Sequence, residues 1–427
     1  MGGCSKSGGG ANIRVLNVSV AYPSVDLYLS NGVTNTPEIT GTSYGTLTSY
    51  KGVAAGAYTV EFTNNGVQSS LKQIDENIAK SVFRTYVAYG NVGSFGFLEI
   101  QENQDKPNGG YTSVQIIDAA PDAGNVDVYL TDPAATLADA SPTFASVVGG
   151  TVGSGFLSIP DGTYRLRITG AGNQADVRLD SVTGITFSNQ EIVSIVLGGT
   201  PGGVLVNATV IPQQGSASPI TNPYARVRAV AGIQPGHKLS ASLGGTTLLF
   251  AAAANTVSQY AQVQAGTQIL NLTLDVTGLI PSNQALTAGA DYTILVLNGP
   301  ALELANTTTT TLIPDDNRLP TSSTYAKISL VNAMSALGDP ITLNVNFTPE
   351  VTTPVLLGSS SGMTQVTAGT DIEFDTFDAN TSLLLLSNAN TSTLGTLTGS
   401  GVYDLFLFGG APASAVLPVE ALHTNRP

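Results

Sequence analysis

The chain has 427 residues, a formal net charge of -14 at pH 7 and only 11% charged residues, against ~25% in an average soluble domain. Lysine and arginine total 16 and form no stripe that could neutralise a phosphate backbone, which excludes nucleic acid as a partner. The longest strongly apolar stretch, LLFAAAA at 248–254, falls far short of the ~18 residues of a spanning helix, and the lone cysteine, Cys4, leaves no internal disulfide framework.

The chain opens MGGCSKSGGG. Gly2, Gly3 and Cys4, followed by the polar run Ser5 to Gly10, resemble the junction of a bacterial lipoprotein, in which a cysteine after small residues is acylated and heads a flexible tether. The resemblance implies a tether over residues 1–10, a charged and apolar leader upstream, and a lipid anchor at Cys4 that makes the membrane a partner. It places the protein in the cell envelope, at the outer membrane surface or in the periplasm. Two other readings stay open. One is myristoyl at Gly2 with palmitoyl at Cys4, although Lys6 stands where that pattern has Ser or Thr; the other is an unused thiol in an unstructured leader.

From residue 11 the chain repeats. Each unit opens on an apolar strand: NIRVLNVS from Asn12, SVQIIDAA from Ser113, ARVRAVAG from Ala225 and AKISLVNA from Ala326. Aligning Ile13, Val114, Val227 and Ile328 gives offsets of 101, 113 and 101 residues. Further along each unit, VAAGAYTVEF, IPDGTYRLRI, VQAGTQILNL and VTAGTDIEFD carry a turn glycine, Gly56, Gly162, Gly266 or Gly369, and then alternation of period two. The turn predicts a positive φ at all four glycines. An apolar run that stops at glycine follows: VFRTYVAYG, EIVSIVLGG, DYTILVLNG and VYDLFLFGG.

A period of about 100 residues with some seven short strands predicts an all-β chain, a tandem array of four Ig-like β-sandwich domains over 11–107, 111–213, 223–315 and 323–423. The proline-containing linkers QENQDKPNGG, IPQQGSASPITNP and IPDDNRLPTSS predict stiff joints and separate, extended beads. The best helical candidate is QSSLKQIDENIAKS at 68–81, one or two turns in a loop.

The first two units also resemble the bacterial domain-of-unknown-function family numbered 4397. The resemblance is carried over about 11–213 by Val25, Asp26, Tyr28, Gly56 and Tyr58, and again by Pro121, Asp122, Val126, Asp127, Tyr129, Pro160, Gly162 and Tyr164. In the later units Gln268 and Asp371 replace the tyrosine after the glycine. The family implies secreted or surface-anchored Ig-like domains and no activity. Alternation turns Asp26 and Asp127 toward solvent or a nearby turn, and Tyr58 and Tyr164 are placed to tie a loop to the sheet as in a tyrosine corner.

Chemistry is sparse. The two histidines, His237 and His423, fall in different units, and no zinc spacing, serine elbow or phosphate loop occurs. In DIEFDTFD, Asp371, Glu373 and Asp375 share one face of a strand, with Asp378 nearby. Same-face side chains ~7 Å apart suit a solvated face better than a calcium shell. No metal, cofactor or catalytic residue is expected, and the chain reads as a non-enzyme. The favoured reading is a structural or adhesive surface lipoprotein. The alternative is a binding module for a glycan, a peptide or an envelope partner protein.

Overall fold

A computed structural model describes residues 10–32, 35–153, 155–299, 308–391, 395–410, 412 and 414–426. Cys4 and the tether lie outside the described residues. Strands dominate, and their sheets pair into four β-sandwiches in tandem.

The first sandwich sets the plan. Its strands are β1 (Ala11–Asn17), β2 (Ser24–Ser30), β3 (Asn35–Ser43), β4 (Lys51–Val53), β5 (Gly56–Asn64), β6 (Ser70–Ile78), β7 (Phe83–Tyr89) and β8 (Gly96–Gln101). One sheet runs β4-β1-β7-β8, with β1 parallel to β7; the other runs β3-β2-β5-β6. Val15, Leu27, Phe62 and Tyr86 fill the core between them. The other three sandwiches repeat this order, each with its opening strand parallel to the strand that carries the apolar run.

The helical expectation at 68–81 is corrected: Ser70–Ile78 is the edge strand β6, paired with β5 from Gly56↔Ile78 to Thr63↔Ser70. Most of its side chains are exposed, so the alternation that marks a half-buried strand is weak.

The expectation of separate beads is also corrected. The chain divides into two compact units, residues 1–200 with 204–222 and residues 201–203 with 223–427, each holding two sandwiches. In the first unit Leu16, Val18, Val87 and Ile100 of one sandwich pack against Ile117, Ala119, Val196 and Ile211 of the next. In the second, Val230, Leu295, Leu297 and Ile313 meet Val331, Ala333, Phe406 and Phe408. The opening strand and its parallel neighbour are therefore buried on both faces. They read as continuous apolar runs because neither of their faces meets water.

The four turn glycines share one register. Each begins a strand opposite a buried apolar residue, in the pairs Gly56↔Ile78, Gly162↔Phe187, Gly266↔Leu286 and Gly369↔Leu397. Positive φ occurs at Gly162 (+151°) and Gly266 (+99°) but not at Gly56 or Gly369. The expectation of a left-handed turn thus fails at two of the four. Gly266→Ala is expected to cost about 1–2 kcal/mol, because a Cβ at that φ meets the backbone. Gly56→Ala, whose Cβ would lie 3.7 Å from Tyr58 Cε2, is expected to change stability by less than about 0.5 kcal/mol. Urea denaturation of the two variants checks both.

Candidate functional site

Tyr58 and Tyr164 perform the same task in the first two sandwiches. The Tyr58 hydroxyl donates to the Ala54 carbonyl at 3.1 Å and the Tyr164 hydroxyl to that of Pro160 at 2.7 Å, each four residues upstream. Their rings lean on the cores beneath. Each ties its turn to the sheet.

Asp26 and Asp127 are buried and face nearby turns, the second of the two places that alternation allows, and not solvent. Asp26 accepts the Gly41 N–H at 2.7 Å and the Gly66 N–H at 3.0 Å. Asp127 accepts those of Ser146 at 2.7 Å and Gly172 at 2.8 Å. All four donors have positive φ, so each carboxylate pins one left-handed residue on a flanking strand, Gly41 or Ser146, and one in a turn, Gly66 or Gly172. In the third sandwich Ser240 keeps half of the device, accepting the N–H of Ala251, which also has positive φ.

The acidic strand does not form the expected solvated face. It splits into Gly369–Ile372 and Phe374–Asp378, Asp371 has φ +57°, and Asp375 and Asp378 are buried. Asp378 accepts the N–H groups of Asn380 and Thr381. Among the described residues no three His, Cys, Asp or Glu side chains are grouped to hold a metal ion.

The densest chemistry lies inside each unit, between its two sandwiches. Arg14 is 3% exposed. Its Nε donates to Thr85 Oγ1 at 2.8 Å, its Nη2 to both oxygens of Glu102 at 2.9 and 2.7 Å, and its Nη1 to the Gly215 carbonyl of the second sandwich at 2.6 Å. The guanidinium lies 4.4 Å from the centre of the Tyr50 ring.

Arg228, 1% exposed, repeats the arrangement in the second unit. Its Nε donates to Thr293 Oγ1 at 2.9 Å, its Nη1 to Asn425 Oδ1 at 2.8 Å and its Nη2 to Asp404 of the fourth sandwich. The Tyr260 ring centre is 4.6 Å away. Strand register makes Thr85 and Thr293 equivalent, and likewise Tyr50 and Tyr260, since each lies directly across from or beside its arginine. Asp315 takes the place of Glu102. It accepts from Tyr260 and Thr293 instead of the arginine, at 2.7 Å each. Burial, with Asp404 nearby, pushes its carboxyl up to about 7.

The larger repeat is therefore a pair of sandwiches. Arg14 and Arg228 stand 214 residues apart, the span of the first two offsets together. An arginine inside the apolar opening strand of the first and third sandwiches was the available signal, because a charge there must be paired.

An open cleft of about 480 Å³ sits at one end of the β2-β5-β6 sheet, lined by residues 30–32, 57–59 and 75–77. That volume lies within the range of small-molecule sites. Thr59 Oγ1 donates to Asp75 at 2.7 Å. Glu76 turns inward, accepting from the Tyr86 hydroxyl and pairing with Arg84. The cleft thus presents a tyrosine edge, a carboxylate, hydroxyls and side-chain amides.

Residues 11–129 match a family described as a domain of unknown function, DUF4397. The match spans the first sandwich and the first two strands of the second, a shorter stretch than the sequence features cover. No curated protein matches the chain. Among solved structures, one similar chain is the carbohydrate-binding module CBMbc (family CBM26) from Eubacterium rectale Amy13K in complex with maltoheptaose, at 12% identity over 47% of this chain and 96% of that one, TM-score 0.16. Another is the Bacillus anthracis TIE protein, at 9% identity over 67% of this chain and 50% of that one, TM-score 0.15. TM-scores this low establish no common arrangement of the chains.

Proposed function

We propose that the protein is a non-enzymatic structural or adhesive lipoprotein, anchored in the cell envelope through Cys4 and displaying Ig-like β-sandwiches as two paired modules. One observation carries the reading. In both units buried charged side chains join one sandwich to the next: Arg14 donates to the Gly215 carbonyl and Glu102 accepts the Gln214 N–H, and Arg228 pairs with Asp404. Such a module suits display because its parts do not hinge apart. The Cys4 resemblance supplies the anchor in this reading, and the outer membrane surface or periplasm is where it would act.

The test expresses the gene with its native upstream region beside Cys4→Ser. Wild type is expected in the detergent phase with acyl groups on Cys4 by mass spectrometry, and the variant in the aqueous phase. An unmodified Cys4 in the native organism would falsify the anchor.

The cleft beside Tyr58 favours a second reading, a binding module whose ligand is a glycan. Its acceptors and amides suit a polyhydroxylated ligand. Titration of the full chain with neutral oligosaccharides, wild type against Asp75→Ala, tests it. Equal heats from both would remove the cleft from consideration.

A further inference from the structure

The fourth sandwich carries a strained, exposed aromatic residue with no counterpart in the third. Its hairpin closes on the pair Val345↔Thr348, leaving a two-residue tip of Asn346 and Phe347 with φ of +46° and +65°. Both residues are left-handed, the geometry that a tight hairpin demands and that Asn-Gly or Gly-Gly meets without strain. The third sandwich uses Gly244 and Gly245 at the same place, between Leu243 and Thr246, with φ of +55° and +85°. Asparagine fits the first slot. Phenylalanine in the second is an outlier, because a bulky side chain rarely tolerates positive φ.

The hydrophobic core does not offset that strain. The Phe347 side chain is 74% exposed and is absent from the hydrophobic core of its own sandwich. The tip itself is held firmly: Asn346 N–H donates to the Glu373 carbonyl, and the Glu373 N–H donates back to Asn346 Oδ1, both at 2.9 Å. A fixed, strained residue that presents its ring to solvent is placed for contact with something outside the chain.

The charge around the tip selects the partner. Residues 323–423 hold eight acidic side chains, of which Asp375, Asp378 and Asp404 are buried and five are at least partly exposed, against one lysine, Lys327, which pairs with Asp316. Glu373 is fastened to the tip, Asp371 is exposed two residues before it, and Glu350 follows Phe347 by three. An aromatic face attracts cations through its quadrupole, and neighbouring carboxylates act with the same sign. We propose that the Asn346-Phe347 tip is a contact site for a lysine- or arginine-bearing segment of a partner protein. The proposal deepens the adhesive reading above and rests on it for the partner's access to the fourth sandwich. The acidic surround opposes the other use of an exposed ring, insertion into an anionic membrane.

The experiment uses full-length protein and does not depend on the anchor, so its failure is separate from failure of the Cys4 test. Deca-lysine is titrated into wild type, Phe347→Gly and a control, Phe250→Ser, at an exposed phenylalanine of the third sandwich. Phe347→Gly is expected to bind about threefold to tenfold more weakly, the range of a cation–π contact, while unfolding at a higher temperature because the strain is gone. Phe250→Ser should bind as wild type does, and amide shifts on peptide addition should centre on residues 345–348. Equal binding by Phe347→Gly and wild type overturns the site. Loss of binding to maltoheptaose or phosphatidylcholine vesicles, with deca-lysine unaffected, overturns the partner class.

Discussion

Asp118→Asn is expected to stabilise the protein by about 1–3 kcal/mol at pH 8, the cost of leaving a buried polar group unsatisfied, and to change little at pH 5. Equivalent positions in three sandwiches supply the reason. Asn17 and Asn332 each accept the N–H two residues on, of Ser19 and Met334, and each donates its amide to two carbonyls: Tyr22 and Thr42, or Asp339 and Val355. Asp118 accepts the Ala120 N–H in the same way, but its Oδ2 has no hydrogen-bond partner among the described residues. A carboxylate cannot donate there; a protonated carboxyl can.

Burial pushes Asp118 up to about 7, against the lowering effects of the Ala120 N–H and Arg178. The folded state therefore holds a proton that the unfolded chain releases near pH 3.8. Stability from this group is fully present below pH 3.8, falls as pH rises toward 7 and is constant beyond. The whole change is at most about 4 kcal/mol. Asp315 and Glu420, also raised to about 7 by burial, act with the same sign in the second unit. Hydrogen exchange of the full chain at Ala120 and Gly150 resolves the Asp118 contribution. Exchange there that is equally pH-dependent in wild type and Asp118→Asn would show that Asp118 does not hold the proton.

The recurring strands and glycine turns made the four sandwiches legible, because period-two alternation and the β5-type turn are local features. The pairing of sandwiches was written less openly. IVLGG and LFLFGG are apolar at successive positions, the mark of a strand covered on both faces, and the alternating offsets of 101 and 113 residues already distinguished pairs from a simple array. What no local pattern shows is which carboxylate meets which arginine. Glu102 lies 88 residues from Arg14, and Asp404 lies 176 residues from Arg228. Both Glu102 and Asp315 stand in stretches that read as linkers, where a buried charge is the exception. The same limit applies to Asp26: a carboxylate alternating with apolar neighbours reads as facing solvent or a nearby turn, and only the fold shows that it pins Gly41 and Gly66, 15 and 40 residues on.

Arg228→Leu is expected to destabilise the second unit by about 3–5 kcal/mol, since removing one partner of a buried ion pair leaves the other without compensation. Here the loss falls on more than one group. Asp404 would keep the Ser329 hydroxyl and the Asn425 amide but lose its cation, while Asp315 would lose a positive charge that favours its ionised form. Tyr260 and Phe406 would lose a guanidinium lying 4.6 and 5.1 Å from their ring centres. Because Arg228 belongs to the third sandwich and Asp404 to the fourth, the damage should appear first as separation of the two. Amides around Val230 and Phe406 should exchange faster, whereas those over the fourth sandwich's own core, around Leu343, should stay protected. Arg228→Leu with Asp404→Leu should recover most of the lost stability, because an apolar pair replaces the ion pair and removes both the unpaired Asp404 and its repulsion of Asp315. The double variant also covers the case in which Arg228→Leu fails to fold. If the double variant is as unstable as the single one, the arginine acts through shape and hydrogen bonds to Thr293 and Asn425, and the charge pairing is not what joins the sandwiches.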